Sequence, residues 1–273
     1  DPRAEPAMWH RPRGIVLRIA VRCASSTVGT GRTAHLVSES AVKIHSEIVQ
    51  RFDSNSRPPS SFLRLLSKRA EQPSDAALVL DAHRRYVADE QGIGLTHING
   101  LIDSCCRVAD WETLHDSLVD SKRLQLHFKN AAPLRRAFNA LAEHKEWERL
   151  STLHSLLPSM AISRVGTSSL HSDVIYKLVH AGELDAAARA LDVAFAMAQT
   201  GGNRNHQIRT SPFRVVARAQ LKQGDTYGAT RTLRLAVTNL KANPGDQPGN
   251  HLTGLIVYAI KAAAQRASAA GGE

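Results

Sequence analysis

Apolar positions along the chain recur three and four residues apart, in paired runs separated by short polar breaks. The clearest pair opens with Ile98, Leu101, Ile102 and Cys105, breaks at Val108-Ala109-Asp110, and resumes with Trp111, Leu114 and Leu118. The next has Leu134, Ala137, Phe138 and Leu141, a break at His144-Lys145-Glu146, then Trp147, Leu150, His154 and Leu157. A third runs Val174, Ile175, Leu178, Val179, breaks at Ala181-Gly182-Glu183, and continues Leu184, Ala187, Ala188, Leu191, Phe195. A fourth runs Phe213, Val216, Ala217, Leu221, breaks at Gln223-Gly224-Asp225, and continues Ala229, Leu233, Val237, Leu240. A weaker first copy has Phe62, Leu65, Leu66, a break from Glu71 to Ser74, then Ala77, Leu80, Val87. This spacing traces one face of a 3.6-residue helix. Sustained two-residue alternation is absent, and Asn99-Gly100 sits inside a helical pattern rather than between strands.

The acid that opens each second helix falls at Asp75, Asp110, Glu146, Glu183 and Asp225, with intervals of 35, 36, 37 and 42 residues. A carboxylate there is favoured by the helix dipole and by the free amides of the first turn. A near-fixed period of helix-turn-helix units predicts an all-α fold, an α-solenoid of about five repeats spanning 60–243. Each unit alone cannot bury its apolar face, so Trp111 and Trp147 are expected between adjacent units. Before the array, Ala41, Ile44, Ile48 and Phe52 predict one helix, capped by Ser38 or Ser40, and residues 53–61 a linker; together, 38–59 form a capping helix and linker. After it, 244–273 holds a loop, an apolar stripe (Leu252, Leu255, Ile256, Ala259, Ile260, Ala263) expected to cap the solenoid, and a small-residue tail from Ala267.

Composition narrows the class. An apolar fraction of 42% in 273 residues is enough for a sizeable core, and 5% aromatics suits a helical array. Three cysteines, two of them adjacent, exclude a disulfide framework and point to a reducing compartment. No run of 18 apolar residues exists, so no helical membrane span is expected. Residues 1–37 form a basic presequence or arm. From Met8 to Ser38 there are five arginines and no acid, with Ile15, Val16, Ile19 and Ala20 at helical spacing and Ser25, Ser26, Thr27 following. That composition is expected of a mitochondrial or chloroplast transit peptide, with residues 8–26 as the signal; the mitochondrion ranks first, in the matrix or on the matrix face of the inner membrane.

The stretch from Thr96 to His127 resembles a pentatricopeptide repeat. Leu101-Ile102-Asp103 matches the core of its first helix, Cys106-Arg107 the small-then-basic pair near its end, Ala109-Asp110 the turn, and Leu114 the second-helix core. Tetratricopeptide units share the fold but carry a Trp and small-residue pattern missing here. The resemblance implies single-stranded RNA binding, one base per repeat. Its base-reading position falls on Gly100, Arg136, Asp173 and Val215; shifted by one residue it falls on Asn99, Arg135, Ser172 and Arg214. The first set has no Asn, Ser or Thr and the second is only a partial code, so sequence-specific readout is not expected.

Catalytic motifs are missing: there is no phosphate-binding glycine loop with its Lys, no dinucleotide fingerprint and no nucleophile elbow. Cys105 and Cys106 with His97 and His115 are the densest potential metal ligands. Adjacent cysteines on a helix point about 100° apart, a poor start for a tetrahedral site. No enzyme activity, cofactor, metal or small-molecule substrate is expected. Charge says more. The formal net charge is +10, and between Arg204 and Lys241 there are eight basic residues against one acid, Asp225. Arg204, Arg209, Arg214, Arg218, Lys222, Arg231 and Arg234, together with Arg135 and Arg136, are the candidate contacts to phosphates or to an acidic partner. The expected function is that of a structural subunit of a large mitochondrial assembly. The mitochondrial ribosome, with rRNA phosphate contacts, ranks first. An accessory subunit of a respiratory-chain complex or ATP synthase, held by protein contacts, is second, and a free RNA-processing factor is third.

Overall fold

The computed structural model describes residues 36, 38–160, 162, 167–200, 208–242 and 250–270. The expected import segment 8–26 and the candidate Arg204 lie outside them. Helix α1 (Ala41–Asp53) is followed by five pairs: α2 (Ser60–Arg69) and α3 (Pro73–Ala88), α4 (Leu95–Val108) and α5 (Trp111–Val119), α6 (Ala132–Glu143) and α7 (Trp147–Ser155), α8 (Thr167–Ala181) and α9 (Leu184–Thr200), α10 (Thr210–Gln223) and α11 (Thr226–Ala242). Helix α12 (Asn250–Ala270) closes the chain, extending the helix into the expected tail. Among the described residues there is no strand, only one bridge between Phe128 and Ile162.

Packing is local in sequence. The first helices meet in series, α2 on α4, α4 on α6, α6 on α8, α8 on α10 and α10 on α12; the second helices do likewise from α3 to α11, with α1 packed on α3. Substantial contacts all join helices no more than two places apart in chain order. The result is one continuous apolar core running from Leu36 to Ala259.

Four pairs share one turn. The amides of Asp110, Glu146, Glu183 and Asp225 donate back to the carbonyls of Cys105, Leu141, Leu178 and Gln220, five residues earlier, at 2.8–3.0 Å. That closure needs a left-handed residue just before the acid, and Ala109, Lys145, Gly182 and Gly224 supply it with φ between +55° and +86°. The acid then starts the second helix: Asp110 accepts from the Thr113 amide at 3.0 Å and Asp225 from the Gly228 amide at 2.8 Å. The first pair differs. Asp75 lies inside α3 and accepts from the Glu71 and Gln72 amides, so Gln72 is the capping position. The expected register in α3 moves with it: Ala76, Val79, Leu80 and His83 are buried, while Ala77 is exposed.

The N-terminal helix begins as expected at Ser40, whose hydroxyl accepts from the Lys43 amide. Trp111 is buried and its ring meets that of His144 in the next turn, at 5.2 Å between centroids. Trp147, expected between adjacent units like Trp111, is only half-buried, because it begins α7 at the rim of the core.

Polar ties repeat with the same period. His45 bonds Asp81 at 2.8 Å, Arg84 lies 3.5 Å from Asp120, Arg136 bonds Asp103 at 2.8 Å, Arg135 lies 3.1 Å from Asp173, and Arg231 bonds Asp192 at 2.7 Å. Each joins a helix to the corresponding helix of its neighbouring pair, except that Asp120 lies at the end of α5. Partial burial pushes the Asp81 carboxyl up, but bonds and charge from Arg85 and His45 outweigh it and hold it below its ordinary value.

Candidate anion-binding ridge

Helix α10 spends one face on the core. Phe213, Val216 and Ala217 are fully buried there, and the neighbouring Gln220 accepts from Thr232 at 2.9 Å to tie α10 to α11. Residues 214, 218 and 222 are four apart, so their side chains share the remaining arc. Arg214 is half-buried, and Arg218 and Lys222 are exposed. Arg209 precedes the first turn in extended conformation and is exposed.

The hairpin beneath this row is held tightly. Asn239 of α11 donates to the Ile208 carbonyl at 2.8 Å, fixing the chain just before Arg209. Gly228 lets α11 begin close to α10, since a Cβ there would stand 2.8 Å from the Gln220 amide nitrogen and would also meet the Asp225 carboxylate that caps α11. The only acid of this hairpin is therefore committed to starting α11.

The candidate residues divide by partner. Arg135 and Arg136, on α6, are engaged by Asp173 and Asp103, with Arg135 also donating to Ser169 at 2.6 Å. Arg231 is engaged by Asp192. Among the described residues, Arg209, Arg214, Arg218, Lys222 and Arg234 have no carboxylate within ion-pair distance. The structure thus does not join the α6 pair to the α10 row. Of the nine candidates, Arg204 lies outside the described residues.

One residue escaped the sequence reading. Tyr227 is 83% exposed and lies with Arg231 and Arg234 on one arc of α11, beside an open groove of about 530 Å³ that Thr230 and Leu235 help to line. The signal was the i, i+4, i+7 spacing, hidden because aromatic residues are few.

Of the positions that the resemblance assigns to base reading, Gly100 serves packing and Arg136 and Asp173 serve ion pairing. A Cβ on Gly100 would lie 3.0 Å from the Cβ and hydroxyl of Ser67 on α2. Arg136 and Asp173 are members of the ion pairs above, and Val215 is half-buried. Burial pushes the Cys105 and Cys106 thiols up, Cys106 to about 12, where Asp103 adds to the rise and Arg136 opposes it. Among the described residues no three of His, Cys, Asp and Glu converge as metal ligands, and no helix is long and apolar enough to cross a membrane.

No protein-family model matches the chain, and no curated protein matches it.

Proposed function

We propose that the chain is a non-catalytic scaffold, a solenoid of five pentatricopeptide-like helix pairs, that holds RNA phosphates on α10 inside a large mitochondrial assembly, the mitochondrial ribosome first. One observation carries this reading. Arg84, Arg135 and Arg136 on earlier pairs face aspartates of neighbouring helices, whereas, among the described residues, Arg214, Arg218 and Lys222 form a row with no carboxylate within ion-pair distance. A rigid row of cations without internal partners is suited to phosphates, whose recognition carries no sequence information. Packing at Gly100 and ion pairing at Arg136 and Asp173 argue against base readout. The acid-free, arginine-rich segment 8–26 supports import.

The test is salt-dependent binding of structured RNAs of unrelated sequence. Replacing Arg214, Arg218 and Lys222 with Ala should weaken all of them equally and reduce the salt slope by about one unit per lost phosphate contact. Unchanged binding and slope would remove the RNA reading. The accessory-subunit alternative, held by protein contacts alone, is favoured by the apolar exposure of α12. Sedimentation of the native protein with and without RNase separates the two: RNase-indifferent migration with an inner-membrane complex supports the alternative.

A further inference from the structure

Helix α12 packs on α10 and α11 as α10 packs on α8 and α9, but α10 is then backed by α11, and among the described residues nothing backs α12. Leu252 and Ala259 face the core. The opposite side carries Thr253, Val257, Ile260 and Ala264, all exposed, with intervals of four, three and four residues. Val257 is 46% and Ile260 62% exposed, and Tyr258 beside them is 59% exposed. Intervals of four and three are the seam of a helix that packs lengthwise against another helix. At the corresponding place on α10, where Phe213 and Val216 align with Leu252 and Leu255, the exposed residue is Arg218; on α12 it is Val257.

Among the described residues of helices α10, α11 and α12, charge has one sign: these helices contain no acidic residue. Lys261 is exposed beside Ile260, and on α11 the exposed Val237 lies between Arg234 and Lys241, both exposed. A second copy presenting the same end would be repelled. At the opposite end, Glu39, which precedes α1, is paired with Lys43, and Glu47 on α1 with Arg51, which leaves Asp53 as the acid of α1 without an ion pair among the described residues.

We infer that the α12 seam is a docking site for an acidic amphipathic helix of a partner protein. Apolar residues of that helix at intervals of three and four fill the row from Thr253 to Ala264, and its flanking carboxylates meet Lys261, Arg234 and Lys241. The site is separate from the α10 row and does not depend on RNA binding.

The probes are three designed helical peptides of equal length and apolar pattern, flanked by Glu, by Lys, or by Gln, titrated calorimetrically into the full chain. The Glu peptide should bind at least tenfold more tightly than the Gln peptide, and the Lys peptide should not bind. Val257→Asp with Ile260→Asp should reduce Glu-peptide affinity at least tenfold without a change in Tm, because both residues are exposed. Lys261→Glu should reduce it too, while Arg218→Ala should leave it unchanged. Equal binding of the three peptides, insensitivity to the Asp variants, or self-association of the chain that the Asp variants abolish would overturn the proposal. The Asp variants should retain RNA binding, so a failure here is distinct from a failure of the α10 row.

Discussion

The rings of His154 and His171 meet across the seam between α7 and α8, Nε2 to Nδ1 at 2.8 Å and 80° between planes. Both are buried, and the ring of Phe138 also lies near His154, at 6.3 Å between centroids. Burial first, and the repulsion from a second imidazole next, push His154 well below its ordinary 6.5. A charged pair has no place in this seam.

Stability should therefore fall on mild acidification. A histidine whose folded-state pKa is depressed binds fewer protons folded than unfolded. Its contribution is complete above about 6.5 and is lost as pH falls toward the folded value. His83 adds to this: burial lowers it to about 4, against a partly opposing bond from its Nε2–H to the Leu124 carbonyl. Between pH 6.5 and 4, His83 alone should remove roughly 3 kcal/mol. Urea unfolding at pH 7.5, 6 and 5 checks this, and His83→Gln, which keeps a donor for Leu124, should flatten the curve. Equal stability at pH 7.5 and 5 would contradict the assignment.

The shared turn makes a second prediction. Ala109 and Lys145 occupy left-handed positions that Gly182 and Gly224 occupy elsewhere. Ala109→Gly and Lys145→Gly should each raise stability, by up to about 1 kcal/mol, because relief of the Cβ clash exceeds the added freedom of the unfolded chain. A lower Tm in both variants would show that the turn is not strained.

Burial separates the two tryptophans. Trp111→Ala removes a ring enclosed by the core and the His144 turn, and should cost about 3–5 kcal/mol. Trp147→Ala removes a half-buried ring and should cost about 1–2 kcal/mol. Denaturant midpoints decide, and equal losses would refute the difference in placement.

Helices and turns were legible because their signals are local: apolar periodicity, and Gly or an acid at the breaks. The first pair misled because Pro73 starts α3 early, moving the cap to Gln72 and the buried face to Ala76 and Val79. Buried His83 was not legible, because it stood outside the apolar stripe expected for the first pair, whereas His154 stood in its stripe with Leu150 and Leu157 and is buried. The ridge was legible as a row on one face of α10. Its distinction from Arg135 and Arg136 was not, because that depends on aspartates more than thirty residues away. The period carried that information unread: Asp103 and Arg136 are 33 residues apart and meet because adjacent first helices stack.

Those pairs yield a gain-of-function test. Asp103→Asn with Asp173→Asn frees Arg136 and Arg135 at the surface, where each pair is worth about 0.2–1 kcal/mol. Stability should change little, while the salt concentration that elutes the chain from heparin should rise. Unchanged elution would mean that the two arginines remain occupied by other groups.

The last prediction concerns Gly100, where the pentatricopeptide resemblance would place a base-reading side chain. Ser67, which Gly100 abuts, is itself buried and donates its hydroxyl to the Leu63 carbonyl at 2.9 Å. Its Cβ and hydroxyl would both lie 3.0 Å from any Cβ at position 100, so even Ala must push α2 and α4 apart by a few tenths of an ångström. Overpacking of that kind costs about 1–3 kcal/mol. Gly100→Asn, the substitution that would install an amide for base reading, should therefore lower the Tm and confer no preference among RNA homopolymers. Ser67→Gly in the same chain should recover part of the lost stability, because it removes the atoms that the new side chain meets. A stable Gly100→Asn variant that discriminates among the homopolymers would show that this surface reads bases after all.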